Sequence, residues 1–283
     1  MFVLGMVRGM STTAVPAPPA AQSDSGVQTR YLVVDTESVP DGELIAQVKY
    51  PGESLSPEEA IARAQAEARA VSANGSDFLP VAMQIPVAVC VVRVGADYSL
   101  QAIKCLDSPQ FRPAEIVRQF WLGVEQSYSK ANLVTFNGRG FDLPLLELAA
   151  FRQGLSLKNY WHRSRDRFQG NHLDLQDRLT NRGASRLAGG LNLLAKLLGK
   201  PGKINVAGCD VYQMYRDGRI AEINDYCLCD TLDTYFVFLR SCVLTGDLTA
   251  DREAEIVRRA REFLEARAPD DPVLKEYLDH WRS

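Results

Sequence analysis

The chain is poor in the residues that announce a zinc module, a disulfide framework or a membrane span. Its 283 residues include three histidines and six cysteines (Cys90, Cys105, Cys209, Cys227, Cys229 and Cys242), with no Cys-x-x-Cys pair. That spacing excludes the usual structural zinc sites. Thiols without a pairing pattern in a chain of this size point to a reducing compartment, so a cytoplasmic location is expected. No apolar run approaches the roughly 18 residues that a spanning helix needs. Met1 to Met6 is apolar but too short for a secretory signal, and Arg8 interrupts the run. A strong charge of either sign is also lacking. A formal net charge of −3 excludes a coat of positive charge for duplex binding, while leaving room for a local basic groove.

Hydrophobic residues make up 46% of the chain and charged residues 24%, which is ordinary for a globular protein large enough to bury a full core. Residues 1–28 are rich in Ser, Thr, Ala and Pro without periodicity, and read as a mobile tail. A strand comes next, at Tyr31-Leu-Val-Val-Asp35-Thr36-Glu37. Ser38 to Ser54 contains Pro40, Gly42, Pro51 and Gly52 and reads as a long loop. Ser56-Pro57-Glu58-Glu59 has the cap, the proline and the acids of a helix start, and the helix should run to about Val71. An insertion of this length, about residues 40–80, is expected to shape a site rather than the core.

Ile85 to Val94 is the strongest strand signal, apolar enough to be buried on both faces. Ser99 to Leu106 should pair with it across the turn at Gly95 to Tyr98. Pro113 to Tyr128 has helical spacing, and Asn132 to Phe136 is another strand. It runs into the Gly-rich Asn137-Gly-Arg-Gly140 and a helix beginning near Asp142. Further helices are expected at about 174–180, 189–198, 208–216, 221–241, 251–267 and 272–281. The pattern is a mixed α/β layer protein with a helical C-terminal portion.

The acids carry the chemistry. Asp35 and Glu37 stand two apart on a strand and so project to one face. Like charges held side by side raise one another's pKa unless a cation sits between them, and a hard divalent ion such as Mg²⁺ or Mn²⁺ suits oxygen donors. Asp142 lies where a strand has ended and a helix starts, a position at which many aspartates are only caps. Tyr226 and Asp230 are four apart and share a face of a helix whose later residues are strongly apolar.

Asp-x-Glu on a strand, Asn-x-x-x-Phe-Asp at a strand-to-helix turn and Tyr-x-x-x-Asp on a late helix occur here in one order. This resembles the DEDD superfamily of 3′–5′ exonucleases in its tyrosine branch, and most closely the family related to the exonuclease domain of family-B DNA polymerases. Gly208-Cys-Asp210-Val-Tyr and Gly218-Arg-Ile-Ala-Glu222-Ile also look like that family, and the resemblance covers about residues 30–242. It implies an RNase H-like mixed sheet flanked by helices over about 29–242, followed by a C-terminal helical extension at 243–283. It also implies Asp35, Glu37, Asp142 and Asp230 as ligands of two divalent ions, with Tyr226 orienting the attacking water or helping to deprotonate it. Thr36, Asn137 and Phe141 would meet the substrate, a single-stranded 3′ end, with DNA placed ahead of RNA. The chain departs from the family in lacking a polymerase region and in its insertion after Glu37.

Several other residues compete for a role. Asp174 reads best as a helix cap or a structural acid, and His172 as a structural histidine. The basic set Arg163, Arg165, Arg167, Lys196, Lys200 and Lys203 could track phosphates, although solvated charge is the default. Cys227 and Cys229 should point apart on their helix and form no metal pair. Gly199-Lys200-Pro lacks the P-loop pattern, and Gly138-Arg-Gly140 lacks the third glycine of a dinucleotide loop. A 3′–5′ exoribonuclease and a catalytically silent nucleic-acid-binding module are the competing functional readings.

Overall fold

The computed structural model describes residues 27–204 and 210–282. The expected tail falls almost wholly outside them, as does the start of the Gly208 motif. The fold is built on strand β1 (Thr29–Pro40). Alternation along β1 gives its two faces different work: Leu32 and Val34 enter one apolar cluster and Val33 enters another. β2 (Gln84–Gly95) pairs antiparallel with β1, and β3 (Leu100–Cys105) pairs antiparallel with β2. β4 (Asn132–Thr135) lies parallel to β1 on its other side, and the two-residue β5 (Leu173–Asp174) lies parallel to β4. The order β3-β2-β1-β4-β5 puts β1 at the centre of a mixed sheet with helices on both faces, the RNase H-like arrangement that the resemblance implies.

The expected loop after Glu37 is instead ordered structure. β1 continues to Pro40 and a helix, α1 (Gly42–Lys49), comes at once. Asp41 makes this turn work, accepting from the Leu44 N–H at 3.1 Å as a cap. The glycine that read as a breaker is a contact point: a Cβ on Gly42 would lie 2.5 Å from the Pro57 carbonyl oxygen. Helix α2 (Pro57–Val71) starts as expected, with Ser56 and Glu59 forming a reciprocal capping box. The two helices share a small apolar cluster of Ile45, Tyr50, Ala60, Ile61, Ala64 and Leu79. Asp41 also pairs with Arg152 at 2.5 Å, which ties the insertion to the sheet's own helix layer.

One face of the sheet is covered by α3 (Pro113–Leu122) and α4 (Asp142–Gln153). Ile116, Phe120, Trp121, Leu143 and Leu146 pack there on Leu32 and Val34. A five-residue π turn, Gly123–Ser127, extends α3, and the short α5 (Lys158–Arg163), not foreseen from the sequence, lies against it. α6 (Leu175–Leu179), α7 (Gly190–Leu197) and α8 (Val211–Arg216) lead to the 25-residue α9 (Ile220–Leu244), which covers the opposite face. Its Tyr235, Phe236, Phe238 and Leu239 are buried with Val33, Val87 and Val92 of the sheet. Each such side chain contributes on the order of 1.5–3 kcal/mol. α10 (Ala250–Glu265) and α11 (Pro272–Asp279) join the same cluster through Ile256, Leu264, Leu274 and Tyr277.

Candidate active site

The sheet presents Asp35 and Glu37 toward α9, because both stand two-residue steps along β1 from Val33. The strand register with β2 shifts just after Glu37 and pairing then resumes from Ser38 to Pro40, so an irregularity of the ladder follows the acids. From α9, Asp230 meets them. One carboxylate oxygen from each of Asp35, Glu37 and Asp230 lies within 4.8 Å of the others, and among the described residues this is the group of acids that could hold a metal ion. Asp142 approaches from the other side of the strand. It is 2% exposed and accepts the Thr36 hydroxyl at 2.6 Å. It is not a cap: the N-cap of α4 is Phe141, with no side-chain hydrogen bond. Thr36 is buried, and its hydroxyl is spent on orienting Asp142.

Burial and mutual repulsion dominate the electrostatics. Asp35 is pushed well above the usual carboxylate range by loss of solvent, and then by the charges of Asp142, Asp230 and Glu37. Glu37 is raised for the same reasons, with Lys203 partly opposing. Asp142 is pushed up to about 7 by burial against the hydrogen bond from Thr36, and Asp230 up to about 6 by burial against Tyr226 and Lys203. Tyr226 lies against the Asp230 carboxylate, and burial, Asp230 and Glu37 drive its phenol far upward. It is therefore a neutral hydroxyl, able to donate a hydrogen bond. Below Asp35, the Cys227 thiol donates to the Asp35 carbonyl at 3.3 Å, which fixes α9 to the strand by a contact that does not use the carboxylate.

The donor set fits divalent ions. All ligand atoms are carboxylate oxygens and the acids are desolvated. Among the described residues, no arginine or lysine forms an ion pair with Asp35, Glu37 or Asp230. Like-charged acids crowded together in this way repel one another unless a cation lies between them.

The loop before Asp142 is shaped by close contacts. Asn137 has φ 64°, and a Cβ on Gly138 would lie 2.2 Å from Thr135 Oγ1, so only glycine fits. The loop hangs from Asp174, which accepts the N–H groups of Asn137 at 3.0 Å and Arg139 at 2.9 Å while capping α6 through those of Gln176 and Asp177. Asp174 is thus the structural acid that the sequence suggested. His172 is structural as well: its Nε2 sits 2.8 Å from the Thr135 hydroxyl, and burial pushes it down to about 3.

Phe141 meets Phe78 with ring centroids 5.8 Å apart. Phe78, at the end of the insertion, is 56% exposed, and sequence reasoning missed it. A single aromatic in a loop has no periodicity to betray it. The available signal was its place just ahead of β2, at the end of an insertion expected to shape a site.

Carboxylates from the central strand, from α4 and from α9 thus converge on one mixed α/β sheet, with a tyrosine beside one of them. Residues 76–281 match the family described as "Predicted 3'-5' exonuclease related to the exonuclease domain of PolB". The chain belongs to this family. The matched region contains Asp142, Tyr226 and Asp230 and begins beyond Asp35 and Glu37. Among solved structures, the family B DNA polymerase from the hyperthermophilic archaeon Pyrobaculum calidifontis is similar at 14% identity with a TM-score of 0.47, over 76% of this chain and 25% of that one. The chain thus spans about a quarter of the polymerase's length. A search of curated proteins finds no match.

Proposed function

We propose that the protein is a 3′–5′ exonuclease that hydrolyses the terminal phosphodiester of a single-stranded nucleic acid, DNA ahead of RNA, with two divalent ions, Mg²⁺ or Mn²⁺. The observation that carries this is the convergence of Asp35, Glu37 and Asp230 within 4.8 Å, with Asp142 beside them. When bound, such ions lower the pKa of an attacking water and stabilise the departing 3′-oxygen.

The chain's own residues do the rest. Asp35, Glu37, Asp142 and Asp230 hold the ions, and Thr36 keeps Asp142 turned toward them. Tyr226, neutral and donating, orients the water rather than removing its proton. The water oxygen bonds to phosphorus, the bond from phosphorus to the 3′-oxygen of the preceding nucleotide breaks, and that oxygen takes up a proton. The last residue leaves as a nucleoside 5′-monophosphate. Phe78 and Phe141 offer ring faces on which the terminal base can stack, and Asn137 stands exposed at the same loop. Lys203, whose charge reaches Glu37 and Asp230, is placed to meet a phosphate.

The test is cleavage of matched DNA and RNA single strands labelled at either end, with Mg²⁺ or Mn²⁺ and with chelator. Stepwise shortening from the 3′ end that stops on chelation is expected. Full activity in excess EDTA would overturn the two-ion reading, and stepwise loss from the 5′ end would overturn the polarity.

A further inference from the structure

Beside the catalytic loop lies a cleft of about 400 Å³, lined by Asn137, Arg139, Gly140, Arg165 and Arg167 among others. Its lining joins the residues that lead into Asp142 to Tyr160 of α5 and to Arg165 and Arg167 in the segment after it. Two exposed aromatic side chains belong to α5 and the segment after it, close in sequence to this lining. Trp161 is 52% exposed and Phe168 is 69% exposed. Each has a guanidinium over its ring: Arg165 lies 4.2 Å from the Trp161 centroid and Arg182 lies 4.9 Å from that of Phe168. Arg165 lines the cleft itself, and Phe168 is next in sequence to Arg167, which also lines it.

Exposed rings of this size are not kept for the core, and each has an arginine over its ring. The acids here are engaged: Glu147 pairs with Arg165, while Asp177 pairs with Arg139 and Arg167. A solvent-facing ring capped by a cation offers a base a stacking surface and its phosphate a partner in the same place. We propose that the two arginine-capped rings, Trp161 with Arg165 and Phe168 with Arg182, form a track on which the single strand upstream of the 3′ end stacks its bases. The occupant is set by continuity: Asn137 and Gly140 belong to this cleft and to the loop that delivers Asp142. A strand seated at the acids has this groove as an exit. The track rests on the nuclease reading for its direction, but binding can be measured without cleavage.

The experiment uses the full chain carrying Asp35→Asn, so that a bound strand is not cut, and monitors intrinsic tryptophan emission. Of the three tryptophans, Trp121 and Trp281 are buried, so Trp161 is the one a ligand can reach. Titration with a single-stranded oligonucleotide long enough to pass the loop should quench emission, and Trp161→Phe should remove that quench. By anisotropy of a labelled strand, Trp161→Ala and Phe168→Ala should each weaken binding roughly 5- to 100-fold, the range for one lost base–aromatic stack. The loss should shrink as the strand is shortened toward a dinucleotide. Tight binding of the long strand without quenching of Trp161, or affinity unchanged from the parent in both alanine variants, would overturn the track and leave the nuclease reading standing. Failure of any single strand to bind would overturn both.

Discussion

Two carboxylates on strands of this sheet, Asp174 buried and Asp35 half-buried, have opposite fates. Asp174, at the end of β5, is 4% exposed and receives four backbone N–H groups. Asp35, on β1, shares its space with Asp142, Asp230 and Glu37 and is driven far upward. The structural acid is the more deeply buried of the two, so burial does not mark the functional acid. Donors do: a carboxylate whose lone pairs are filled by backbone is part of the frame, and one surrounded by other carboxylates keeps its lone pairs for a cation to take.

The strongest way to break this contrast is to neutralise each acid in turn. Asp230→Asn should lower turnover by about 10³-fold or more, the several kcal/mol that a lost ligand to a catalytic ion costs, while folding survives. Asp174→Ala should do the reverse. It strands four N–H groups and costs roughly 2 kcal/mol or more of stability, seen as a lower urea midpoint. If Asp174→Ala silences the enzyme at full stability, or Asp230→Asn unfolds it, the division between frame and site is wrong.

Tyr226→Phe should cut single-turnover rates by roughly 10²–10⁴-fold if its hydroxyl positions the water, with single-strand affinity kept because the ring remains. A loss below about threefold would be far short of that range and would return Tyr226 to a packing role.

The contrast also has a pH signature. Asp35, Glu37, Asp142 and Asp230 hold protons in the folded, metal-free protein that they have already released when unfolded, near pH 4. The stability they contribute is therefore present at low pH and lost as pH rises through the folded values, about 6 for Asp230 and about 7 for Asp142. His172, pushed down to about 3, acts in the opposite sense below its ordinary value of about 6.5. Above that, the acids act without it. The melting temperature of metal-free protein should fall between neutral and mildly alkaline pH, and Mg²⁺ or Mn²⁺ should restore it most at the alkaline end. An unchanged melting temperature on adding either ion would break the idea of a waiting site.

The smallest effect is expected for Thr36→Val. Losing one hydrogen bond to Asp142 should cost about 1 kcal/mol, roughly fivefold in kcat, with KM unchanged. A raised KM at unchanged kcat would instead put Thr36 on the substrate.

Much of this was legible in the sequence because it is periodic. The Asp-x-Glu alternation placed Asp35 and Glu37 on one face, and Tyr-x-x-x-Asp placed Tyr226 and Asp230 on one side of α9. β1 to β4 and most of the helices fall within a few residues of their expected places. What stayed hidden depends on contacts rather than period. Gly42 and Pro40 read as breakers because the close approach of Pro57 that rewards a glycine is remote in sequence. β5 is two residues long and exists only because β4 lies beside it. The bond from Thr36 to Asp142 joins residues 106 apart. No local pattern could report it.

The Tyr277 hydroxyl donates to Asp233 at 2.7 Å, one helical turn beyond Asp230, and Trp281 packs on Phe236 at 4.9 Å between ring centroids. The last helix therefore helps seat the one that carries Asp230, against a sheet whose central strand starts at Thr29. On the ribosome, Asp35 and Asp142 emerge long before α9 can be clasped. The apolar flank of α9 must wait, uncovered, for residues 272–281. Contacts spanning so much of the chain make for slow closure, with apolar surface exposed until residues 272–281 are in place.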